Sequence, residues 1–317
     1  MGFAINGAIE QGLLYAIMAL GVYISFRILN FPDLTVDGSF ALGGAVAAKL
    51  ILDGYSPFLA MLVALLAGAV AGFLTGLMCT KGKINGLLAG ILSMIGLWSI
   101  NLRIMGDSSN LALLRETTLV TMVEDLHVPN LVIGGVTIIT GVAIVFIVVI
   151  LIVKLLIDWF LHTDLGLDVR ATGDNSTMIR SFGANTDRTT IIGLALSNAL
   201  VACSGAWIAQ YQGFADVGMG VGMIVIGLAS VIVGEVLFGR PTLMRATLAV
   251  IGGSLVYRLV IAFALRAGLK TSDMKLVTAL IVILALTLPN LVKGAMKKAK
   301  KYTAKGEQAH ADNLPGS

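Results

Sequence analysis

The chain has 317 residues, of which 57% are hydrophobic and only 13% are charged, and its mean hydropathy is +0.93. These values exclude an ordinary soluble globular domain. The apolar residues fall in runs of about twenty, the length that crosses a bilayer. The net charge of +4 comes largely from the tail Lys293–Lys305, which favours membrane lipid over nucleic acid as a partner. The composition therefore predicts an all-α, polytopic membrane helical bundle.

Nine spans are predicted from the apolar runs, with eight or ten as the alternatives. The second span carries Pro32, two aspartates and several glycines. A broken or re-entrant helix is therefore expected near residues 31–44, because its free backbone groups need protein or water around them. The predicted spans are Ile5–Ile28, Leu34–Leu52, Phe58–Cys79, Asn85–Met105, Leu131–Phe160, Thr189–Tyr211, Val217–Phe238, Thr242–Leu265 and Met274–Val292.

The basic loop residues fall on one predicted side of the membrane, which assigns that side to the cytoplasm. The Arg266/Lys270 pair is the exception. The N-terminus is then outside, and the C-terminus is cytoplasmic. Residues 1–294 form the predicted transmembrane domain, and residues 295–317 form a basic, disordered cytoplasmic tail. An extracellular loop is expected at 107–130, with a short helix near Glu116–Leu126 that could receive a binding protein.

One long polar segment, Asp164–Arg188, lies between two apolar runs and within the predicted cytoplasmic loop 163–188. A helix of about two turns is expected inside it. Asp174 is predicted to cap the start of this helix, because its carboxylate can accept from free backbone N–H groups. Gly183 is predicted to follow its end in the left-handed conformation.

Three apolar residues, Met178, Ile179 and Phe182, share one face of this short helix. A short helix with an apolar stripe at a membrane surface indicates a coupling helix, which buries the stripe in a groove on a partner. An ordinary cytoplasmic loop with a helical turn is the alternative. The predicted partner-coupling residues are Asp174, Asn175, Met178, Ile179, Phe182 and Gly183.

The sequence around this helix resembles the coupling-loop signature of ABC importer permeases in the branched-chain amino acid and ribose permease superfamily. The matching residues are Ala171, Gly173, Asn175, Gly183, Asn185 and Arg188, and Ile179 stands where many members carry alanine. The stretch Phe31–Leu50 is similar to a second element of the superfamily. Its wording NFPDLTVDGSF resembles the subgroup linked to tryptophan-type and other aromatic amino acid uptake. The resemblance covers about residues 10–290.

This resemblance implies the transmembrane subunit of an ATP-binding-cassette importer in a bacterial cell membrane. Such a permease is expected to act as a homodimer, or with a similar permease, with its pathway at the two-fold axis. Two copies of an ATP-binding subunit would receive the 174–183 helices, and an extracellular substrate-binding protein would deliver the solute. An amino acid, with aromatic ones preferred, is the expected solute. Sugars and nucleosides are the other options of the superfamily.

Motifs of enzyme chemistry do not occur in the sequence. The phosphate-binding pattern G-x-x-x-x-G-K-[ST] is missing. The histidines His127, His162 and His310 are too far apart to indicate a histidine metal cluster. The chain is therefore predicted to be no enzyme and to hold no cofactor or metal. ATP and magnesium would bind to the partner subunit.

Polar residues inside the spans are the candidates for a transport pathway, because polar groups in a membrane usually face a cavity or a partner. The predicted set is Asp33, Thr35, Asp37, Ser39 and Asn198. The alternative for the aspartates is that they cap a half-helix. The alternative for Asn198, as for Ser197, is a hydrogen bond between packed helices.

Two charged residues have more than one possible partner. Glu235 is expected to pair with Arg240 or to meet the ATPase, and Arg258 could pair with Glu10 if the first and eighth spans touch. Trp98, Asn101 and Arg103 could meet an amino acid at the outer mouth, although a structural role is favoured.

An ion-coupled secondary transporter is the rival function, but it needs carboxylates at mid-membrane, and the spans contain few. A channel or membrane scaffold is a third option.

Overall fold

The computed structural model describes residues 2–114, 116–125, 131–133, 136–269, 273, 276–283 and 287. Within these residues the helices are α1 (Gly2–Val22), a π-helical segment that continues it (Tyr23–Ile28), α2 (Thr35–Leu52), α3 (Pro57–Thr80), α4 (Gly86–Ile104), α5 (Leu119–Asp125), α6 (Gly141–His162), α7 (Asp164–Ser181), α8 (Thr186–Gln212), α9 (Met223–Phe238) and α10 (Leu243–Arg266). Residues 276–283 are also helical.

Four short strands accompany the helices: β1 (Asn110–Ala112), β2 (Leu131–Ile133), β3 (Val136–Ile139) and β4 (Phe214–Asp216). β1 pairs antiparallel with β4, and β2 pairs antiparallel with β3. Helix α7 and the β1–β4 pair lie at opposite ends of α8, because α7 precedes its first residue and β4 follows its last. We call these two ends of the molecule the α7 end and the strand end.

Seven helices of the described residues are long and apolar enough to cross a membrane. They are Ile5–Ile28 with its π-helical part, α2, α3, α4, α6, α8 and α10. Helix α9 is apolar but has only 16 residues. The prediction of a polytopic helical bundle is confirmed. The short helix expected in the loop 107–130 is α5.

The fifth predicted span, Leu131–Phe160, starts too early. Its first residues form the β2–β3 hairpin, and α6 begins only at Gly141. Thr140 fixes that start, because its hydroxyl oxygen accepts from the backbone N–H of Ala143 at 3.2 Å. About half of the ninth predicted span, Met274–Val292, lies outside the described residues, and the predicted tail 295–317 lies wholly outside them.

The interruption predicted near residues 31–44 is shorter than expected. The π-helical segment ends at Ile28, residues 29–34 are mostly irregular, and α2 is then continuous from Thr35 to Leu52. Gly43, one of the glycines that suggested a break, lies inside α2. It serves packing instead, because a Cβ atom there would lie 1.9 Å from the carbonyl oxygen of Ala202.

Helix α8 forms the centre of the bundle, and glycines let its neighbours approach its backbone. A Cβ atom on Gly205 of α8 would lie 2.0 Å from the carbonyl oxygen of Phe40 in α2. A Cβ atom on Gly72 of α3 would lie 2.2 Å from the carbonyl oxygen of Leu194. α1 packs on another side of α8. The central helices are thus in backbone contact on several sides of α8.

Two serine hydroxyls join α8 to α1. Ser197 donates to the carbonyl oxygen of Gly21 at 2.7 Å, and Ser204 donates to that of Leu14 at 2.8 Å. Both serines are fully buried. The interhelical role considered for Ser197 is therefore the one that the structure shows, and the two bonds hold α1 antiparallel against α8 over two turns.

The crossing of α2 and α8 provides a stability test. We expect Gly43→Ala to lower the free energy of unfolding by about 1–3 kcal/mol, because the added methyl group meets backbone that cannot move aside. Gly96→Ala is the matched control, since Gly96 lies in α4 with open space around its Cβ position. Thermal unfolding in detergent measures both variants. Equal melting temperatures would contradict the described packing.

Candidate functional site

Helix α7 consists of two segments that meet at a kink. Asn175 has the non-helical angles φ −156° and ψ 90°, so one segment precedes it and a second follows. The side-chain oxygen of Asn175 accepts from the backbone N–H of Met178 at 3.0 Å. Asn175 therefore caps the second segment. The prediction that Asp174 is the cap is wrong, because Asp174 still belongs to the first segment.

The end of the second segment is fixed by Gly183, which has φ +89°. Its backbone N–H donates to the carbonyl oxygen of Arg180 at 3.1 Å, and that of Ala184 donates to Ile179 at 3.3 Å. This pair of hydrogen bonds is a Schellman motif, which needs a left-handed residue at this position. The prediction that Gly183 follows the helix end is confirmed.

The apolar stripe of the second segment is largely uncovered. The side chain of Phe182 is 78% exposed and that of Met178 is 48% exposed, whereas Ile179 is half-buried. The intervening residues Arg180 and Ser181 are exposed and polar, so the other side of the same segment is hydrophilic. Large apolar side chains grouped in a polar surface are typical of a protein docking site.

A cleft of about 740 Å³ lies beside α7 at the α7 end of the bundle. It is bounded by the π-helical segment, α7 and the turn between α9 and α10. Its lining residues are Tyr23, Phe26, Arg27, Ile28, Asn30, Leu167, Arg170, Ala171, Gly173, Asp174, Glu235, Arg240, Pro241, Thr242, Leu243 and Ala246. Asp174, although not the helix cap, is thus part of the wall of this cleft.

Glu235 is the acidic centre of the cleft. One carboxylate oxygen accepts from Nε of Arg27 at 2.8 Å, and the other accepts from Nη2 of the same arginine. Arg240 is 3.7 Å from the carboxylate. The expected pairing of Glu235 with Arg240 is confirmed. The bidentate contact between Glu235 and Arg27 could not be predicted from the sequence, because 208 positions separate these two residues.

The predicted pathway residues Asp33, Ser39 and Asn198 form one hydrogen-bonded cluster. The hydroxyl of Ser39 donates to the amide oxygen of Asn198 at 2.7 Å, and the amide nitrogen donates to Asp33 at 2.7 Å. All three side chains are fully buried. Asn198 is near the middle of the 27-residue α8, so α2 begins at mid-depth of the bundle.

A second row of hydroxyls extends this cluster to α3 and α4. The hydroxyls of Thr35 and Thr75 are 3.0 Å apart, and those of Thr75 and Ser93 are 2.6 Å apart. Thr35 was among the predicted residues, whereas Thr75 and Ser93 were not. Their only signal in the sequence is a single hydroxyl in an apolar run, which does not distinguish them from ordinary packing residues.

The two aspartates of the second span cap two different helices. Asp33 accepts from the backbone N–H of Thr35 at the start of α2, at 2.9 Å. Asp37 instead accepts from Gly222 and Ile224 at the start of α9, at 2.9 and 2.8 Å. The alternative that these aspartates cap helix starts is therefore correct for both. Asp33 caps α2, the helix that it precedes, and Asp37 caps α9, which is distant in the sequence. The starts of α2 and α9 meet at Asp37.

The possible pair of Arg258 and Glu10 is not formed, although α1 and α10 do touch. Glu10 accepts from the hydroxyls of Tyr211, at 2.8 Å, and Thr140. Both carboxylate oxygens are therefore already hydrogen-bonded. The guanidinium of Arg258 lies over the ring of Tyr15 instead, 3.8 Å from its centre, which is a cation–π contact.

The residues considered at the outer mouth are not brought together as a binding site. Asn101 is buried and donates to the carbonyl oxygen of Gly38 at 3.3 Å, which ties α4 to α2. Trp98 and Arg103 are exposed on the same helix. The structural role favoured for this group agrees with these contacts.

A buried ion pair in α6 was missed by the sequence reasoning. Nζ of Lys154 contacts one carboxylate oxygen of Asp158, and Thr247 of α10 donates to the other at 2.8 Å. Both charged side chains are nearly inaccessible. The spacing of four residues within an apolar run was the available signal, because residues four apart on a helix face each other.

The comparisons with known proteins identify this helical bundle as a membrane transport permease. The model of the family "Branched-chain amino acid transport system / permease component" matches residues 4–287, and the chain belongs to this family. It is a multi-pass membrane protein and the permease component of an ABC-type transport system for an amino acid or a sugar. The family implies ATPase and substrate-binding partners.

Curated relatives match over nearly the whole chain. The "Tyrosine transport system permease protein" of Clostridioides difficile (strain R20291) is 42% identical over 96% of this chain and 97% of its own length. The "Ribose import permease protein RbsC" of Escherichia coli (strain K12) is 26% identical over 91% of this chain and 87% of its own. These relatives are components of transport systems and not enzymes.

A solved structure with a similar fold is "PsaBC from Streptococcus pneumoniae in complex with Fab". Its TM-score is 0.53 at 12% sequence identity, and the match covers 88% of this chain and 89% of that chain. At this identity the match concerns the fold alone. It agrees with the helical bundle described above.

The cap of the second α7 segment can be tested directly. We expect Asn175→Ala to destabilise residues 176–182 by about 1 kcal/mol, because the backbone N–H of Met178 loses its acceptor. Hydrogen exchange of these amides should accelerate about fivefold. Asp174→Ala is the control and should leave their exchange unchanged. The reverse order of effects would restore Asp174 as the cap.

Proposed function

We propose that the chain is the transmembrane subunit of an ATP-binding-cassette importer that moves an aromatic amino acid, tyrosine first, into the cytoplasm. The observation that carries this proposal is the exposed stripe of Met178 and Phe182 on the capped second segment of α7. ATP and Mg²⁺ bind to a separate subunit, whose surface groove receives this segment. Two copies of the permease, each with one ATPase, form the complex.

The orientation of the complex follows from charge. The arginines of α7 and the α9–α10 turn, such as Arg170 and Arg240, lie at the α7 end, as do Lys81 and Lys83 between α3 and α4. Basic loops favour the cytoplasm. We therefore place the α7 end and the C-terminus in the cytoplasm of a bacterial cell. The strand end, with β1, β4 and α5, faces an extracellular binding protein.

The residues at mid-depth would act as the gate of the pathway. Asp37 holds the start of α9 against α2, and Asp33, Thr35, Ser39 and Asn198 hold the start of α2 against α8. Closure of the ATPase pair pushes on α7 and shifts these two helix starts.

The rival function, an ion-coupled secondary transporter, requires a carboxylate within a span that gains and loses an ion. Asp158 is a carboxylate within a span, but Lys154 and Thr247 already bind both of its oxygens. A carboxylate whose charge is already neutralised in this way cannot bind a coupling ion unless its ion pair with Lys154 separates. The exposed stripe on α7 has no purpose in that mechanism, so we favour the importer.

Attachment of the ATPase tests the coupling role of α7. We expect Met178→Asp and Phe182→Asp each to weaken binding of the ATPase about tenfold or more, because a carboxylate cannot enter an apolar groove without a large desolvation cost. Thr177→Asp is the matched control, since Thr177 is exposed on the opposite face of the same segment. Co-purification and ATP-dependent uptake in proteoliposomes measure the effect. Uptake that survives both changes rules out this coupling role.

Substrate identity is tested by competition. Proteoliposomes that contain the permease, its ATPase and its binding protein should accumulate labelled tyrosine only with ATP. Unlabelled phenylalanine and tryptophan should compete better than leucine, and ribose should not compete. Accumulation of ribose instead would keep the importer but change its substrate class to sugars.

A further inference from the structure

The π-helical segment Tyr23–Ile28 connects α7 to the interior of the bundle. Gly173 of α7 packs directly on it, because a Cβ atom at Gly173 would lie 1.9 Å from the carbonyl oxygen of Ile28. The two backbones are therefore in contact without an intervening side chain. A displacement of α7 must move the end of this segment, since neither side has room to absorb it.

The segment itself has a loosened backbone. The N–H of Leu29 donates to the carbonyl oxygen of Ile24 at 2.9 Å, and that of Phe31 donates to Ser25 at 2.8 Å. These bonds span five and six residues, instead of the four of an α-helix. Such π-helical turns are rare and are frequent at functional sites. The π-helical turn follows α1 at the point where Gly173 of α7 contacts the chain.

Arg27 is the residue of this segment that reaches α9. Its guanidinium forms the two-pronged contact with Glu235 described above, and the side chain of Glu235 is only 9% exposed. Bidentate contacts between arginine and carboxylate fix both distance and orientation. The last turn of α9 is thereby held to the end of α1.

Helix α9 has a glycine with positive φ at each of its ends, and along its length it packs backbone to backbone on α10, where a Cβ atom at Gly234 would lie 2.1 Å from the carbonyl oxygen of Ala249. Gly222 before its first residue has φ +87°, and Gly239 after its last has φ +71°. Glu235 lies one turn from the second of these glycines. The other end of the helix is bound to Asp37, as shown above. A pull at Glu235 therefore reaches the start of α9 at mid-depth.

We propose that Arg27 and Glu235 are positioning residues for transport: their ion pair passes the movement of α7 to α9 and so to the contact between α9 and Asp37. This inference rests on the proposed importer function and adds to it the link between the ATPase-binding helix and the gate. A salt bridge that only stabilises the fold is the competing explanation. The two differ in what happens to the ratio of substrate moved to ATP hydrolysed.

The experiment uses the complete complex of permease, ATPase and binding protein in proteoliposomes. Arg27→Met should leave assembly and ATP hydrolysis within about twofold of the wild type, while uptake per ATP falls about tenfold or more. The double variant Arg27→Met/Glu235→Met also removes the carboxylate, which Arg27→Met leaves with only the longer contact to Arg240, and so relieves any folding defect. Uptake per ATP should stay equally low in it. Arg27→Lys keeps the charge but not the two-pronged contact, and it should give an intermediate ratio.

Lys49→Ala provides the control, since it breaks the exposed Lys49–Asp53 ion pair near the strand end. It should change neither rate. The proposal is overturned if the double variant transports like the wild type, if uptake and ATP hydrolysis decline in parallel with the amount of assembled complex, or if none of the Arg27 variants assembles. Failure of the wild-type complex to show ATP-dependent uptake would instead refute the importer function itself.

Discussion

The carboxylate of Asp33 lies in the middle of an apolar bundle, and the fold around it depends on how that group is satisfied. A carboxylate buried without partners is strongly unfavourable. Here Asn198 of α8 donates to one oxygen and the backbone of Thr35 donates to the other. The N–H of Thr35 is a local partner, but Asn198 is available only if α2 begins at the level of the middle of α8. The irregular stretch 29–34 is the consequence, since the chain must return from the end of α1 to that depth.

The position of α9 follows from the position of α2. Asp37 is two residues into α2, and its carboxylate satisfies the free N–H groups of Gly222 and Ile224. The first turn of any helix leaves such groups without partners inside the helix. At mid-depth in a membrane, water does not supply the missing acceptors. Asp37 therefore allows α9 to start there, and 16 residues then suffice to reach the α7 end.

Several elements could be predicted from the sequence because their signals are local. The length of the apolar runs indicates the spans, and Gly183 indicates a helix end. The cap of the second α7 segment was misplaced by one residue, because Asp174 and Asn175 are both good caps and only the backbone angles distinguish them. The β2–β3 hairpin was missed, since its apolar residues continue directly into those of α6.

The tertiary contacts of the site could not be predicted. The partners lie far apart in the chain, as in the pairs Arg27–Glu235 and Asp37–Gly222. From the sequence alone, each of these residues has several possible partners. The polar residues of the second span could nevertheless be predicted as a group, because charged side chains are costly inside a membrane span and usually have a specific partner. What the sequence left open was which helix each aspartate serves.

The two buried carboxylates Asp158 and Asp33 differ in a way that bears on how the protein enters the membrane. Lys154 is on the same helix as Asp158, so the pair neutralises itself as soon as α6 is helical. The charge of Asp158 is therefore neutralised within α6, and Thr247 of α10 adds only a hydrogen bond. Asp33 depends on Asn198, which is synthesised 165 residues later. Asp33 therefore gains its interhelical partner only after α8 has been synthesised, whereas the partner of Asp158 is present in the same helix from the start.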